Sequence, residues 1–502
     1  MKRVYFLLLV VSLIAILFSN SSFAQTSTIM SATATIREIQ QTFNFNPIKS
    51  VNISDDRVLS LAQAFGYPQP RELCIRQLGD SIYPMEKLAN SSFFMLTEEG
   101  NQNTFYIYLP NVTITDFDYD KEDKMIYFCG IHQVTNSYNQ NVIGYFHKDL
   151  LFGGNININL YPINIPNSSN SCFLKKIDFY RVFDSGDKKL SLIANDNANT
   201  FALSGYSNML FSNSFFITYN LQVNDYAIKE VGGIRLTDVV HTKRRVVIVG
   251  IGDKEHLVLL SHKQNNINDY VGKVFETHTL YDFSRDMKYS IEALDNDTII
   301  IGASVIADGY GRMEFTTFNL LSDITVMNTQ SIANNNDIEC RSKIVDMKYD
   351  KNAQRLHTIA FNGCNSRNMI FRLEPYNLST HTSFIVIPNI GRLGRNLQRS
   401  ITLYQGVNDP CYLVFGASDN QVSIQIDTII TGNLYFFDRK TYLFGEEYSC
   451  ETVYEINIEK IYSKYTPMGI SYIHTYNNLQ SSANSYFVPN ANTYTLTMKC
   501  DN

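Results

Sequence analysis

The stretch VTITDFDYDKEDKMIYFCGIH, residues 112 to 132, contains four aspartates and fits either a calcium loop or a strand. An EF-hand loop needs a central glycine and a glutamate at its twelfth position, and both are missing here. In a strand, Asp116, Asp118 and Asp120 would share one side, because successive side chains alternate between the two faces. We therefore predict a strand that ends in a turn, with Asp120 bonding the backbone of that turn.

A second copy of this pattern, SKIVDMKYDKNAQRLHTIAFNG, begins at Ser342. It keeps Asp116 and Asp120 as Asp346 and Asp350, whereas Asp118 and Asp123 become Lys348 and Ala353. The copy has lost half of the candidate calcium ligands but has kept the turn. The repeat therefore favours a structural role for these residues, and we predict no metal site.

Weaker copies of the unit recur along the chain, each with a strand, a polar turn and an apolar strand that often ends near glycine. They begin at Lys175, Ile234, Tyr289, Arg399 and Met468. Corresponding positions are 53 to 69 residues apart, which leaves room for four strands of ordinary length with their turns. In the first unit we predict strands at 112–119, 124–131, 141–148 and 156–165.

Four-stranded antiparallel units that repeat radially form a β-propeller, an arrangement that leaves only short, protected sheet edges. We therefore predict an all-β fold with a seven-bladed propeller over residues 103–502; the alternative is an array of β-sandwiches. The seventh unit has room for three strands only. We predict that an N-terminal strand at Thr104–Leu109 completes that blade and closes the ring.

The N-terminus predicts export. Lys2 and Arg3 precede an apolar run from Val4 to Phe18, and small residues follow up to Ala24, as in a secretory signal peptide. The run is shorter than the roughly 20 residues of a membrane anchor, which is the alternative. We predict a signal peptide at 1–24, a periplasmic or secreted protein, and no integral membrane segment after cleavage.

Residues 25–102 form an N-terminal segment whose structure the sequence leaves open. Within it, Ser54–Phe65 predicts a helix, since Ser54 is a suitable N-cap and Gly66 a stop. The same stretch also fits a hairpin that turns at Asp55-Asp56.

Charge and cysteine content limit the partners and cofactors. The net charge of -6 and pI of about 5.9 provide no general attraction to nucleic acid or anionic membrane. The eight cysteines include no C-x2-C pair, as a zinc site usually needs. Cys340 and Cys364 flank a predicted hairpin, and antiparallel pairing would bring them into disulfide range.

The repeated units resemble the blades of β-propellers, and with the export signal the chain resembles exported β-propeller-repeat proteins of Gram-negative bacteria. It matches no specific named family, because WD40, kelch, sialidase and quinoprotein motifs normally carry a tryptophan and this chain has none. The resemblance implies a fold, and a fold alone does not define a function.

Motifs for chemistry are absent. The sequence contains no G-x-S-x-G elbow, H-E-x-x-H, Walker A or G-x-G-x-x-G motif, and we predict no cofactor. If the first strand of each unit is innermost, the loops on one face of the disc would carry a ligand surface. The residues expected there are His132, Tyr138, Tyr206, Asp253, Asp308, Tyr310, Arg367, Arg392, Arg395 and Asp419.

Two functions fit this sequence. The first is an exported, noncatalytic binding or scaffold protein whose loops recognise a glycan or protein ligand, with the tyrosines stacking on it. The alternative is a carbohydrate-active hydrolase or lyase in which carboxylates from several blades converge on the central channel. Three carboxylates from separate blades with perturbed pKa values would favour the enzyme.

Overall fold

In the computed structural model the protein is all-β, and its strands form antiparallel sheets. The structure describes residues 30–31, 35–36, 41–42, 45–54, 57–64, 92–98, 103–109, 111–135, 138–152, 156–166, 168, 172–196, 213–252, 256–275, 279–280, 289–295, 297–307, 310–332, 342–351, 354–362, 367–376, 383–387, 398–405, 410–421, 428–438, 452–455, 467–468, 473–488, 492–495 and 497–498. The predicted signal peptide lies outside these residues, as do Cys340 and Cys364.

Three short strands precede the first large sheet: β1 (Met30–Ser31), β2 (Thr35–Ile36) and β3 (Gln41–Thr42). Sheet 1 contains β4 (Phe45–Ser54), β5 (Arg57–Ala64), β6 (Ser92–Glu98) and β7 (Asn103–Leu109). Sheet 2 contains β8 (Val112–Asp120), β9 (Met125–Thr135), β10 (Tyr138–His147) and β11 (Ile156–Pro162), with a 3-10 helix at Lys148–Phe152. Sheet 3 contains β12 (Cys172–Arg181), β13 (Lys188–Asp196), β14 (Ser214–Asn220) and β15 (Asp225–Val231).

Four more sheets follow in chain order. Sheet 4 contains β16 (Arg235–His241), β17 (Arg245–Ile251), β18 (Leu257–Lys263) and β19 (Asn266–Phe275). Sheet 5 contains β20 (Thr279–Leu280), β21 (Ser290–Asp295), β22 (Thr298–Ala307), β23 (Tyr310–Asn319) and β24 (Thr325–Ile332). Sheet 6 contains β25 (Ser342–Asp350), β26 (Arg355–Asn362), β27 (Arg367–Leu373) and β28 (Ser383–Ile387). Sheet 7 contains β29 (Gln398–Gln405), β30 (Pro410–Gln421) and β31 (Thr428–Asp438).

The C-terminal strands do not form a sheet of their own. They are β32 (Thr452–Glu455), β33 (Pro467–Met468), β34 (Ile473–Gln480), β35 (Asn484–Val488), β36 (Asn492–Thr495) and β37 (Thr497–Met498). The first five add a fifth strand to sheets 6, 4, 3, 2 and 1, in that order, and β37 pairs with β1. We call β32 to β36 the outer strands.

The sheets are arranged through one strand each, which is the first strand of every sheet except sheet 5, where it is β21. β4, β8, β12, β16, β21, β25 and β29 each contact the next in this order, and β29 also contacts β4. Apolar clusters fill the spaces between consecutive sheets: Phe117 and Phe94 pack between sheets 1 and 2, and Val246 and Phe216 between sheets 3 and 4. The core is therefore divided among the contacts between neighbouring sheets.

A shift in register near the start of the first strand recurs in six sheets. The residue just before the shift faces glycine or alanine on the second strand, as Ile114 faces Gly130. A Cβ atom on Gly130 would lie 2.2 Å from the Thr113 carbonyl oxygen, far inside van der Waals contact. The close approach of the two backbones explains why the second strand of the repeat so often ends near glycine.

The structure confirms the all-β prediction and the four strands of the first unit. The helix predicted at Ser54–Phe65 is wrong, and the alternative, a hairpin that turns at Asp55-Asp56, is confirmed, because β4 and β5 pair there with Ser54 opposite Arg57. Alternation of apolar residues within a sheet overrides the local capping signal.

The predicted seventh unit is also wrong. Its strands are distributed over separate sheets, and sheet 1, formed by residues 45–109, takes its place in the sequence of sheets. β7 pairs with a C-terminal strand as expected, with Thr104 opposite Tyr494, but it is the fourth strand of sheet 1. The prediction that an N-terminal strand completes a C-terminal blade is therefore wrong: a C-terminal strand, β36, is added to the N-terminal sheet.

Candidate functional site

The residues predicted to form a ligand surface are described to different extents. Tyr206, Asp253, Asp308, Arg392 and Arg395 lie outside the described residues. Tyr138, Tyr310, Arg367 and Asp419 are placed only as strand positions on β10, β23, β27 and β30. Tyr138, Arg367 and Asp419 are close to the connection between the second and third strands of their sheets, and Tyr310 is close to the corresponding connection of sheet 5, between β22 and β23.

His132 lies near the corresponding connection of sheet 2, on β9, where its backbone pairs with Val112 and Gln140. Its side chain is half-buried, and burial lowers the pKa of the imidazole. Tyr138 begins the adjacent strand, so the structure brings these two predicted residues to the same end of sheet 2. The other placed residues belong to sheets 5, 6 and 7.

A second set of residues, which the sequence analysis did not select as a site, lies on β4, β8, β12, β16, β21 and β25 of sheets 1 to 6. It alternates along these strands with buried apolar residues. We call it the inner-strand cluster; its members are Lys49, Asp116, Asp118, Lys176, Asp178, Asp238, His241, Glu292, Asp346 and Lys348. Because these strands contact one another, six sheets contribute charges to a single region.

A chain of ion pairs crosses four sheets within this cluster. Lys49 Nζ lies 3.2 Å from one Asp116 carboxylate oxygen, and Lys176 Nζ lies 4.0 Å from the other. The same Lys176 ammonium lies 3.8 Å from Asp238. Although burial opposes it, the charges of Asp116 and Asp238 raise the pKa of Lys176. The lysine thus stays protonated between its two carboxylates.

Backbone hydrogen bonds connect sheets 2 and 3 in register. Asp116 Oδ2 accepts from the Ile177 N–H at 3.1 Å, and Asp118 Oδ2 accepts from the Phe179 N–H at 2.8 Å. Two residues further along, the Asp120 carboxylate accepts from the Arg181 guanidinium at 2.6 Å. Asp116, Asp118 and Asp120 therefore bind three alternate residues of β12, at positions 177, 179 and 181.

Two further pairs complete the cluster. Lys348 Nζ donates to Glu292 across sheets 5 and 6 at 2.8 Å, and His241 Nδ1 lies 2.8 Å from Asp178 across sheets 3 and 4. Burial raises the pKa of Asp178, and the His241 partner opposes that rise. Burial alone would lower the pKa of His241, but the Asp178 charge and hydrogen bond raise it.

The basic members keep some access to solvent, whereas the central carboxylate does not. The exposed fractions of the side chains are 31% for Lys176, 35% for Lys348 and 40% for His241, against 2% for Asp116. Asp116 is buried, with an ion pair to Lys49 at Oδ1 and a hydrogen bond from the Ile177 N–H at Oδ2, so little of its carboxylate is open to a substrate. This geometry suits a role in holding sheets together.

A signal for this cluster was present in the sequence. Charged residues occupy alternate positions of three aligned units, as Asp116 and Asp118, Lys176 and Asp178, and Asp346 and Lys348. Repeated charges at one face of an otherwise apolar strand predict a shared polar surface. The opposite signs of Asp116 and Lys176, at equivalent positions of neighbouring units, would have identified these two as partners.

Among the described residues, no group of three or more His, Cys, Asp or Glu side chains is arranged to hold a metal ion. Nor does this part of the chain include a helix with the length and apolar character needed to cross a membrane. The chain matches no known family model, and no curated protein matches it. The function must therefore be inferred from the geometry.

Proposed function

We propose that the protein is an exported, noncatalytic binding or scaffold protein built on a seven-bladed β-propeller. Sheets 1 to 7 are the blades, and the outer strands add to the edges of five of them. The cycle of contacts that returns from β29 to β4 supports this arrangement. The propeller would hold the loops between strands in fixed positions, as a recognition surface requires.

The noncatalytic assignment rests on one observation: carboxylates of one sheet pair with lysines and a backbone N–H of the neighbouring sheets. Asp116 has Lys49, Lys176 and the Ile177 N–H as partners, and Glu292 has Lys348. These contacts join one sheet to the next and neutralise the acids. The charges at the centre are thus explained by cohesion of the ring, and recognition is left to the loops.

The ligand class we propose is a glycan or a protein segment, bound at the face where second strands connect to third strands. Tyr138, Tyr206 and Tyr310 would supply flat surfaces for stacking. No role for nucleic acid is proposed, because the net charge of -6 provides no general attraction to a polyanion.

Binding arrays test this proposal. The chain without residues 1–24 is screened against glycans and peptides, and any ligand found is measured again with the Tyr138→Ala and Tyr310→Ala variants. We expect a loss of affinity of about tenfold or more, as for an aromatic anchor of a binding site. Tyr476→Phe is the matched control on the outer edge and should leave binding unchanged.

One observation favours the alternative, a carbohydrate-active hydrolase or lyase. Burial raises the pKa of both Asp178 and Glu292, and these acids come from different sheets. Raised carboxyl pKa values are typical of general acids. Turnover of a bound glycan by the wild-type chain, abolished in both Asp178→Asn and Glu292→Gln, would replace the binding assignment with this one.

A further inference from the structure

A buried histidine lies between sheets 3 and 4. His262, on β18, is 1% exposed, and its ring stacks on Phe216 of β14 with 5.9 Å between ring centroids. Its Nδ1 lies 2.8 Å from the Lys263 carbonyl oxygen. Because a carbonyl can only accept, Nδ1 carries a proton, and in the neutral ring Nε2 carries none.

The charges that act most strongly on this ring are positive. They come from Arg245 on β17, Lys189 on β13 and Lys229 on β15. On the paired strand β19, Tyr270 faces His262, and on its own strand Lys263 pairs with Asp269. Burial, and then these three cations, lower the pKa of His262 from 6.5 to about 4, against the opposing hydrogen bond to Lys263.

Lys229 connects the histidine to an outer strand. It is 3% exposed, its Nζ donates to Thr475 Oγ1 of β34 at 2.8 Å, and it lies 4.4 Å from the centroid of the Tyr270 ring. The hydroxyl and the ring are both neutral partners, and burial lowers the pKa of this lysine. The buried Lys229 ammonium therefore has a hydroxyl and an aromatic ring as partners beneath β34, and neither carries a negative charge.

The next residue also holds β34. Glu230 is 3% exposed and accepts a hydrogen bond from the Tyr476 hydroxyl at 3.0 Å. Consecutive charged residues of β15 therefore bind consecutive residues of β34. Without β34, both would lie on an open sheet edge, where charged side chains normally discourage further strand pairing.

We propose that the contact between sheets 3 and 4 is an acid-sensitive latch, in which protonation of His262 releases β34 from β15. A proton from solvent is taken up at Nε2, and the resulting imidazolium shares a buried space with the Lys229 ammonium. Lys229 lies over the ring of Tyr270, the residue opposite His262, and it is opposite Phe216, on which His262 stacks. Two like charges in such a space repel each other strongly. They separate when Lys229 leaves Thr475 and reaches water, and the edge of β15 is then exposed.

The direction of the pH dependence follows from the lowered pKa. A base whose pKa is lower in the closed state than in the open state stabilises the closed state at neutral pH. This stabilisation is lost as the pH falls toward the closed-state pKa of about 4.

His241 provides an internal contrast on the same sheet. It stacks on Tyr180 and bonds Asp178 at 2.8 Å, so its protonated form has a carboxylate partner. Acid does not create an unpaired charge there. Replacing His241 should leave the acid response of β34 intact, which makes it the matched control.

Amide hydrogen exchange of the full chain tests the latch. After correction for the intrinsic pH dependence of exchange, we expect protection of residues 473–480 to fall at least tenfold between about pH 7.5 and pH 5. In His262→Phe, which keeps an aromatic ring on Phe216, protection should be nearly constant over this range. His241→Asn should behave as the wild type does.

A second variant keeps the proposal testable should His262→Phe fail to fold. Lys229→Met removes the like charge but retains the length of the side chain, so the loss of protection should move to lower pH. The proposal is overturned if residues 473–480 keep constant protection in the wild type, or if the loss of protection is unchanged in both His262→Phe and Lys229→Met.

Discussion

The Phe179 backbone N–H donates to Asp118 Oδ2 at 2.8 Å, a hydrogen bond between residues 61 apart in the chain. The Ile177 N–H and Asp116 have the same separation and the same kind of bond. Equal spacing means that β8 and β12 are held in one register along their length. The aspartates that first suggested a calcium loop are therefore the contacts that join two sheets.

Asp116→Ala should destabilise the protein by about 3 kcal/mol, because it leaves Lys49 without its buried partner and the Ile177 N–H without its acceptor. Urea unfolding followed by circular dichroism measures the change. Asp149→Ala, at a side chain that is 70% exposed, is the control and should change the free energy of unfolding by less than about 0.5 kcal/mol. Equal effects of the two substitutions would contradict the role assigned to Asp116.

Gly130→Ala should cost more than about 2 kcal/mol, because the new Cβ meets the rigid Thr113 carbonyl oxygen. Gly250→Ala in sheet 4 is the graded comparison, since its Cβ would lie 2.8 Å from the Arg235 carbonyl oxygen rather than 2.2 Å. We expect Gly250→Ala to destabilise the protein as well, but by less than Gly130→Ala, and thermal unfolding of the two variants measures the difference. A neutral Gly130→Ala would show that the two strands can separate without cost.

These two positions show what local sequence can predict. The strand pattern around Asp116 and the glycine at 130 are repeated along the chain, so the strands of sheet 2 follow from the sequence within a few residues. Partners across sheets were missed because each aspartate was judged within its own strand. Lys176 is far from Asp116 in the sequence, and only the packing of two sheets brings them together.

The C-terminal strands could not be assigned for a different reason. Residues 484–488 form a strand, but five residues do not specify which sheet edge they will join. Which sheet each C-terminal strand joins depends on the sheet edge that lies next to it in the folded protein. Sheet 1 was missed because the capping signal at Ser54 outweighed a short alternating pattern.

Removing all residues after Thr466 should destabilise the protein by more than about 5 kcal/mol. The deletion takes β33 to β36 from sheets 4, 3, 2 and 1, and each ladder contributes several hydrogen bonds worth about 1 kcal/mol net. It also exposes four sheet edges, so we expect aggregation in size-exclusion chromatography. Differential scanning calorimetry of the full chain and of the truncated chain measures the loss of stability.

The control is a shorter deletion, after Thr495. It removes β37, which pairs with β1 over two residues, and should change stability little. A similar loss for both deletions would mean that the outer strands add nothing beyond the contact with β1.

The disulfide predicted between Cys340 and Cys364 lies outside the described residues and is open to a direct test. Each cysteine is two residues beyond the last pair of the β25–β26 ladder, Ser342 and Asn362. Peptide mapping without reduction should find the two cysteines linked. Their recovery as alkylated thiols from protein made in an oxidising compartment would disprove the pairing.

Cys129 and Cys172 serve as the internal reference in the same experiment. Both are free thiols, and burial raises the pKa of each to about 12. They should resist alkylation in the native protein and react once it is denatured, because the thiolate is the reactive form. Rapid labelling of either in the native state would contradict its burial.

The outer strands are synthesised in the opposite order to the sheets that receive them. Sheet 1 precedes sheets 2 to 7 in the chain, yet its edge strand β7 pairs with β36, which follows all of these sheets. The earlier one of these sheets lies in the chain, the longer its edge stays unpaired during synthesis. During synthesis, the edge of sheet 1 is therefore open to association with other chains until β36 has been made.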